Sequence, residues 1–154
     1  MTRGRAADET AGPRPATNAP ATPLPAGFLA GLEGEEEVLV TSRDRHRRGT
    51  VRAWFTVAPP GVVLLLTGAH SVKAERWRRD PWVRLTVPGR GLAAEGRARF
   101  VTERVEVDVL APLVVERWDM AGAPTVEGLH RILEQGTHVL VAVEGAGGDG
   151  APSA

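Results

Sequence analysis

The chain has 154 residues, with 19 basic and 19 acidic side chains. This length is typical of one domain, and the balanced charge provides no overall field that would attract nucleic acid or an anionic membrane. Cysteine is absent, which excludes disulfides, thiolate nucleophiles and cysteine-ligated metal centres. The longest aliphatic run, at 62–66, is far shorter than the roughly 20 residues of a membrane-spanning helix. We therefore expect a soluble, cytoplasmic protein with no nucleic-acid and no membrane partner.

The two ends of the sequence differ in composition from the middle. Residues 1–26 contain five prolines among alanine, threonine and glycine, and few large apolar residues. Such a segment cannot bury enough surface to offset its ordering entropy, so we predict a disordered N-terminal tail that is not a secretory signal. Glycine-rich residues 145–154 predict a flexible C-terminal tail. The folded domain is then expected at 27–144, and dimerisation would supplement its modest core.

Most of the middle of the chain has the pattern of short strands. Apolar residues alternate with polar ones or form short continuous runs that are bounded by glycine and proline. The predicted strands lie at 38–41, 50–58, 62–67, 82–87, 92–101 and 137–143. Short turns between the first three predict an antiparallel meander, with a sharp turn at the Pro-Pro-Gly sequence 59–61.

Three segments are predicted to be helical. Ser71 is a suitable cap for a helix that ends before Pro81, and Thr125 is a suitable cap for a helix that ends at Gly136. Residues 105–109 alternate like a strand, but 109–117 have helical spacing. For this segment we favour a helix that begins near Asp108, with Pro112 close to its first turn. The predicted fold is mainly β: an antiparallel sheet of six or seven strands forming a small barrel, with two to three short helices.

The segment 64–79 carries the clearest chemical signal. A strand ends in Thr67-Gly68, and Ser71 then opens a helix with Lys73 in its first turn. Free N–H groups at a helix start, a hydroxyl and an ammonium group together form an anion site suited to phosphate. Lys73 is also the only lysine among the 19 basic residues. The alternative is a serine-capped amphipathic helix with a solvated lysine.

A second candidate lies on the strand predicted at 50–58. Arg52 and Trp54 share one side of this strand, and Phe55 lies on the other. A guanidinium beside an indole would suit a planar, anionic ligand. The alternative is a core phenylalanine behind a surface Arg–Trp pair.

Other patterns give weaker signals. The arginines within 43–48 lie in a predicted hairpin turn without an interleaved aromatic residue, which favours surface charge over binding of nucleic acid or a phosphate tail. The four histidines have no metal-ligand spacing, and no Gly-x-Ser-x-Gly motif or phosphate-binding loop is found. We therefore assign no catalytic side chain and no metal.

The order of several motifs resembles the pyridoxamine 5′-phosphate oxidase-like split-barrel family. These motifs are Gly-Thr-Val-Arg-Ala-Trp-Phe at 49–55, the strand at 62–67, Ser-Val-Lys at 71–73, Arg-Arg-Asp-Pro at 78–81 and Glu-Gly-Arg-Ala at 95–98. They cover roughly residues 38–101, under half of the chain. The resemblance implies a six-stranded split β-barrel that forms a homodimer, with a flavin or deazaflavin in each of two grooves at the interface.

The resemblance also implies roles for particular residues and a function. Ser71, Lys73 and Arg52 would bind the cofactor phosphate, and Trp54, Phe55 and Thr67 would border the ring. The expected function is that of an FMN-binding oxidoreductase that transfers a hydride between the cofactor and a small unsaturated substrate. In such enzymes the cofactor carries the redox chemistry and the protein places it.

Three alternatives to this function stay open. The Trp-Phe and Arg-Arg-Asp-Pro sequences are similar to those of small reductases that use the deazaflavin coenzyme F-420, although those reductases more often have proline where this chain has Arg52. A second alternative is a non-catalytic module that binds a flavin or a tetrapyrrole. The third is a split-barrel dimer that has lost its cofactor and serves as an interaction protein.

Overall fold

The computed structural model describes residues 21–119 and 125–146, which form seven strands and four helices. The strands are β1 (Glu37–Asp44), β2 (Arg47–Trp54), β3 (Thr56–Ala58), β4 (Val62–Gly68), β5 (Trp82–Thr86), β6 (Ala93–Phe100) and β7 (His138–Gly145). The helices are α1 (Ala26–Leu32), α2 (Val72–Arg79), α3 (Arg104–Arg117) and α4 (Val126–Glu134). The predicted mainly β fold is confirmed.

All seven strands belong to one antiparallel sheet with the order β2-β1-β5-β6-β7-β4-β3. The segment predicted as one strand at 50–58 forms two strands, β2 and β3, separated by Phe55. The carbonyl of Phe55 accepts a hydrogen bond of 3.0 Å from Nε of Arg117, so this group is engaged by a side chain of α3. The sheet therefore has one strand more than the six that the resemblance implied.

The two sides of the sheet pack against different partners. The inner side encloses a core that includes Val40, Leu65, Leu85 and Val141, and α2 adds Trp77 to it. The outer side of β3, β4 and β7 packs against α3 and α4 in a second core, whose fully buried members are Ala58, Leu64, Ala111, Val114, Leu129, Leu140 and Ala142. Alternation of side chains along each strand explains how one sheet serves both cores.

The outer side of β1, β2 and β5 is partly open to solvent, with its exposed residues mainly on β2. We call it the open face; its side chains are Glu37, Leu39, Thr41, Arg43, Arg48, Thr50, Arg52, Trp54, Trp82, Arg84 and Thr86. The last residue of α3, Arg117, reaches this face and lies 4.7 Å from the ring centroid of Trp54. On β2 the opposite side is exposed as well, since 48% of Val51 is accessible.

Two of the predicted helices are confirmed and two findings differ from the sequence analysis. Ser71 caps α2 and Thr125 caps α4, each through its side-chain oxygen. Helix α3 begins at Arg104 rather than near Asp108, so Pro112 lies inside it instead of in the first turn. Burial of one side of α3 in the second core outweighs the cost of this proline.

Helix α1 was not predicted. Pro25 precedes it without a side-chain cap, so the usual start signal is missing. Phe28 and Leu32, one turn apart, are buried in the inner core and anchor this helix to the barrel. None of the helices in the described ranges is long and apolar enough to cross a membrane.

Candidate functional site

A pocket lies where the start of α2 meets the edge of the sheet at β2. Its volume is about 410 Å³, and we call it the α2 pocket. The residues that line it are Ser42, Gly49, Thr50, Val51, Ser71, Val72, Lys73 and Arg76. Because β2 is the last strand on its side of the sheet, its outer edge is available to a ligand or to another chain.

The start of α2 is organised by hydrogen bonds among small polar residues. The N–H of Ser71 donates to the carbonyl of Gly68 at 3.1 Å, which forms the turn after β4. Oγ of Ser71 accepts from the N–H of Ala74 at 3.2 Å, and Oγ1 of Thr67 donates to the same oxygen at 3.4 Å. These bonds fix the Ser71 hydroxyl and leave other first-turn N–H groups of α2 for an anion.

Lys73 is half-buried beside this helix start. Burial lowers the pKa of its ammonium group from the usual 10.5, because the charged form loses hydration. In the described part of the chain no carboxylate forms an ion pair with Lys73. The α2 pocket therefore holds a partly desolvated cation that a bound anion would stabilise.

Arg76 is a second cation of the pocket, and the sequence analysis missed it. Its Nη1 donates to Oγ of buried Ser42 at 3.3 Å, which directs the guanidinium toward β1 and β2. A Cβ added to Gly49 would lie 2.7 Å from the same nitrogen, so glycine at 49 leaves room for Arg76. The three-residue spacing from Lys73, which places both on one side of the helix, was the available signal.

Arg52 and Trp54 lie outside the α2 pocket, on the open face. Arg52 is exposed, and its Nη1 is 3.3 Å from Oε1 of Glu37. Trp54 is 38% exposed and lies against the guanidinium of Arg117. Arg52 and Trp54 lie on the same side of β2, as predicted. Their role in binding a cofactor stays a prediction.

Phe55 and Thr67 are buried. Phe55 belongs to the inner core, and Thr67 lies next to Ser71 at the end of β4. The structure thus brings together Ser71 and Lys73 in one pocket with Thr67 beside them, whereas Phe55 packs in the core. The proposed contacts of these four residues with a cofactor also remain predictions.

The arginine-rich hairpin between β1 and β2 has an aromatic neighbour that its own sequence does not show. The guanidinium carbons of Arg43 and Arg48 lie 4.6 and 4.7 Å from the ring centroid of Trp82, which β5 supplies. Nε of Arg43 also pairs with Asp80 at 2.6 Å, and this arginine lowers the pKa of that carboxyl group. Arg43 is therefore already engaged within the chain.

Nowhere in residues 21–119 and 125–146 do three potential metal ligands cluster.

The sequence and the fold give different results when they are compared with known proteins. No protein-family profile matches the sequence, and no curated protein matches it either. Solved structures do match the fold. An FAD-binding protein from Mesorhizobium loti has a TM-score of 0.57 at 11% identity, over 79% of this chain and 88% of that one.

Two further structures have similar scores. One is a protein from Clostridium acetobutylicum related to general stress protein 26 of B. subtilis, of the pyridoxinephosphate oxidase family; its TM-score is 0.53 at 11% identity, over 77% of this chain and 84% of that one. The heme storage protein HutZ from Vibrio cholerae has a TM-score of 0.55 at 14% identity, over 82% of this chain and 92% of that one. At such identities the likeness shows the fold: the chain has the pyridoxamine 5′-phosphate oxidase-like split-barrel fold, as the resemblance implied.

Proposed function

We propose that this protein binds FMN and acts as an oxidoreductase that transfers a hydride between the flavin and a small unsaturated substrate. The observation that carries the proposal is the α2 pocket, where a helix start, a half-buried lysine and a second cation converge. A flavin is favoured over other phosphate-bearing ligands because one protein of similar fold is FAD-binding and another is of the pyridoxinephosphate oxidase family.

The side chains of the α2 pocket fit a phosphate group. Ser71 and the first-turn N–H groups of α2 offer hydrogen bonds, and Lys73 and Arg76 offer two positive charges. A phosphate would also supply the counter-charge that the described residues do not give to Lys73. In this proposal Ser42 acts indirectly, because it holds the guanidinium of Arg76 in place.

The ring of the flavin would be held by the edge and open face of β2, with Arg52 and Trp54 as its nearest candidates. When bound, the flavin supplies the redox chemistry, since its ring accepts or donates a hydride. The residues of the chain bind and orient the flavin, shield it from water and determine which substrate reaches it. No proton-transferring side chain is assigned.

We further propose that the protein is a homodimer with the cofactor at the interface. Strand β2 is exposed on both sides, with Val51 48% and Trp54 38% accessible. A strand of this kind at the edge of a sheet is prone to pairing with another chain. A second copy placed over β2 would cover these side chains and complete the wall of the α2 pocket.

The first experiment is a titration of the purified protein with FMN and with the deazaflavin coenzyme F-420, followed by absorption and fluorescence. We expect saturable binding of FMN at micromolar concentration or below. Lys73→Ala and Arg76→Ala should each weaken binding by on the order of 1.5–3 kcal/mol, or roughly 10- to 150-fold, and Arg52→Ala, outside the α2 pocket, should weaken it less. Arg90→Ala, which removes an exposed arginine from the turn after β5, is the matched control and should leave binding unchanged.

The same titration separates the alternatives. Tighter binding of F-420 than of FMN would assign the deazaflavin instead. A bound flavin that reductant bleaches, but that no acceptor re-oxidises faster than free flavin, would indicate a binding module; the heme storage protein of similar fold gives this alternative its support. Binding of neither cofactor would contradict the proposal and leave the interaction protein.

Sedimentation equilibrium tests the homodimer. A carboxylate introduced by Val51→Asp should dissociate the dimer; because Val51 also lines the α2 pocket, the oligomeric state and not FMN binding is the readout. Val105→Asp is the matched control, because Val105 is 76% exposed on α3. A wild-type protein that is monomeric at all concentrations would rule out the dimer without affecting the assignment of the phosphate site.

A further inference from the structure

A second pocket lies on the outer side of the sheet, between α3, α4 and the adjoining ends of β6 and β7. Its volume is about 320 Å³, and we call it the α3–α4 pocket. It shares no lining residue with the α2 pocket. The proposed flavin site therefore does not account for it, and its volume lies within the range of small-molecule sites.

The wall of the α3–α4 pocket is apolar. The apolar side chains that line it are Phe100, Val101, Val107, Leu133, Val139 and Leu140. All of them except Val101, which follows β6, belong to β6, β7, α3 or α4, so the wall is built mainly by the packing of regular elements. An aromatic ring or a branched aliphatic group is the chemistry that such a wall accommodates.

Polar side chains converge at the rim of this pocket. Arg104, at the start of α3, pairs with Glu134, at the end of α4, at 3.0 Å, with 66% and 67% of the two side chains exposed. An ion pair so exposed contributes only about 0–1 kcal/mol, so Arg104 can turn to another anion at little cost while Glu134 stays hydrated. Thr102 and His138 line the same pocket and add a hydroxyl and an imidazole.

His130 joins α4 to α3 at the rim of this pocket. It is 9% exposed, and its Nε2 lies 2.7 Å from Oδ1 of Asp108. This contact joins the two helices beside the pocket. Because Asp108 already engages His130, Arg104 is the group at the rim that is best suited to select a charged ligand.

We propose that the α3–α4 pocket binds a small aromatic carboxylate, with its ring against the apolar wall and its carboxylate on Arg104. This site is independent of the proposed flavin site. The expected ligand has an apolar ring that packs against the wall and an anionic group at one end.

The test is isothermal titration calorimetry of the full chain with 2-naphthoate, and with 2-naphthamide, which has the same shape without the charge. We expect 2-naphthoate to bind saturably at one site per chain and 2-naphthamide to bind about tenfold more weakly. Arg104→Gln should remove this preference by weakening 2-naphthoate about tenfold. Arg131→Gln, an exposed arginine of α4 outside the pocket lining, should leave both affinities unchanged.

A variant that fills the pocket supplies the second arm. Leu133 is only partly buried, and Leu133→Trp should abolish binding of both probes while FMN binding is retained. If that variant does not fold, as judged by its thermal unfolding, Val139→Phe replaces it. The proposal is overturned if 2-naphthoate does not saturate, if the filled variants bind it as well as the wild type, or if acid and amide bind equally.

Discussion

The two halves of the sheet differ in what covers their outer side. Strands β4 and β7 are buried on both sides, between the inner core and helices α3 and α4. Strand β2 has most of its residues exposed, and β1, which pairs with β2, and β5, which pairs with β1, each have one side on the open face. The covered half is packed against apolar residues on both sides, whereas the open half has apolar packing on its inner side only and carries polar contacts on its outer side.

The largest effect is expected from shortening a side chain in the covered half. Leu64 on β4 is 0% exposed and contacts the second core, so Leu64→Ala should lower the free energy of unfolding by about 2–5 kcal/mol. Val51→Ala on β2 removes apolar atoms from an exposed position and should change it by less than about 0.5 kcal/mol in the monomer. Urea denaturation at low protein concentration measures both, and equal losses would contradict the comparison.

A smaller loss is expected from removing a polar contact of the open half. Asp80 pairs with Arg43 and accepts a hydrogen bond from the N–H of Trp82 at 3.1 Å, so it joins the end of α2 to β1 and β5. Asp80→Ala should cost about 1 kcal/mol at neutral pH. Arg84→Ala, an exposed residue of the same face, should cost less and serves as the control.

The pH dependence of this loss has a definite sign. The side-chain hydrogen bond from Arg43 lowers the pKa of Asp80 below its usual 3.8, so the native state favours the ionised form more than the unfolded chain does. The stabilisation is complete above 3.8 and is lost as the pH falls through the lowered value. The unfolding free energies of wild type and Asp80→Ala should therefore approach each other in acid. A gap that widened in acid would contradict this account.

The features that the sequence analysis predicted are those with local signals. The caps at Ser71 and Thr125 and the turn glycine at 136 define where helices begin and end, and strand alternation located the strands of the sheet. Helix α1 lacks a capping residue, and the early start of α3 depends on burial against the sheet, so neither has a local signal.

The candidate site also contains residues with a local signal in the sequence and residues without one. Ser71 and Lys73 were predicted because two residues of one helix turn carry the chemistry. Ser42 and Gly49 lie on the β1–β2 hairpin and reach Arg76 only through the tertiary packing of α2, so spacing along the chain could not reveal them. Phe55 was predicted on the side opposite Arg52, and its burial agrees with that prediction.

The smallest effect has the opposite sign and concerns the α2 pocket. Burial lowers the pKa of Lys73, so the free protein is less stable with this side chain charged than with it neutral. Lys73→Met should therefore raise the free energy of unfolding at neutral pH and, under the proposed function, weaken FMN binding. Urea denaturation without ligand measures the first effect and the FMN titration measures the second.

The gain from Lys73→Met should shrink as the pH is raised toward 10.5, the usual pKa of lysine. Between the lowered pKa and 10.5 the unfolded wild-type chain binds more protons than the native protein, so the stability contributed by this site rises with pH. Lys73→Arg is the control, since it keeps a charge at this position across the whole range. A Lys73→Met protein that is less stable than the wild type at neutral pH would show that other groups of the pocket already stabilise the charge of Lys73. The uncompensated charge would then no longer support a phosphate site.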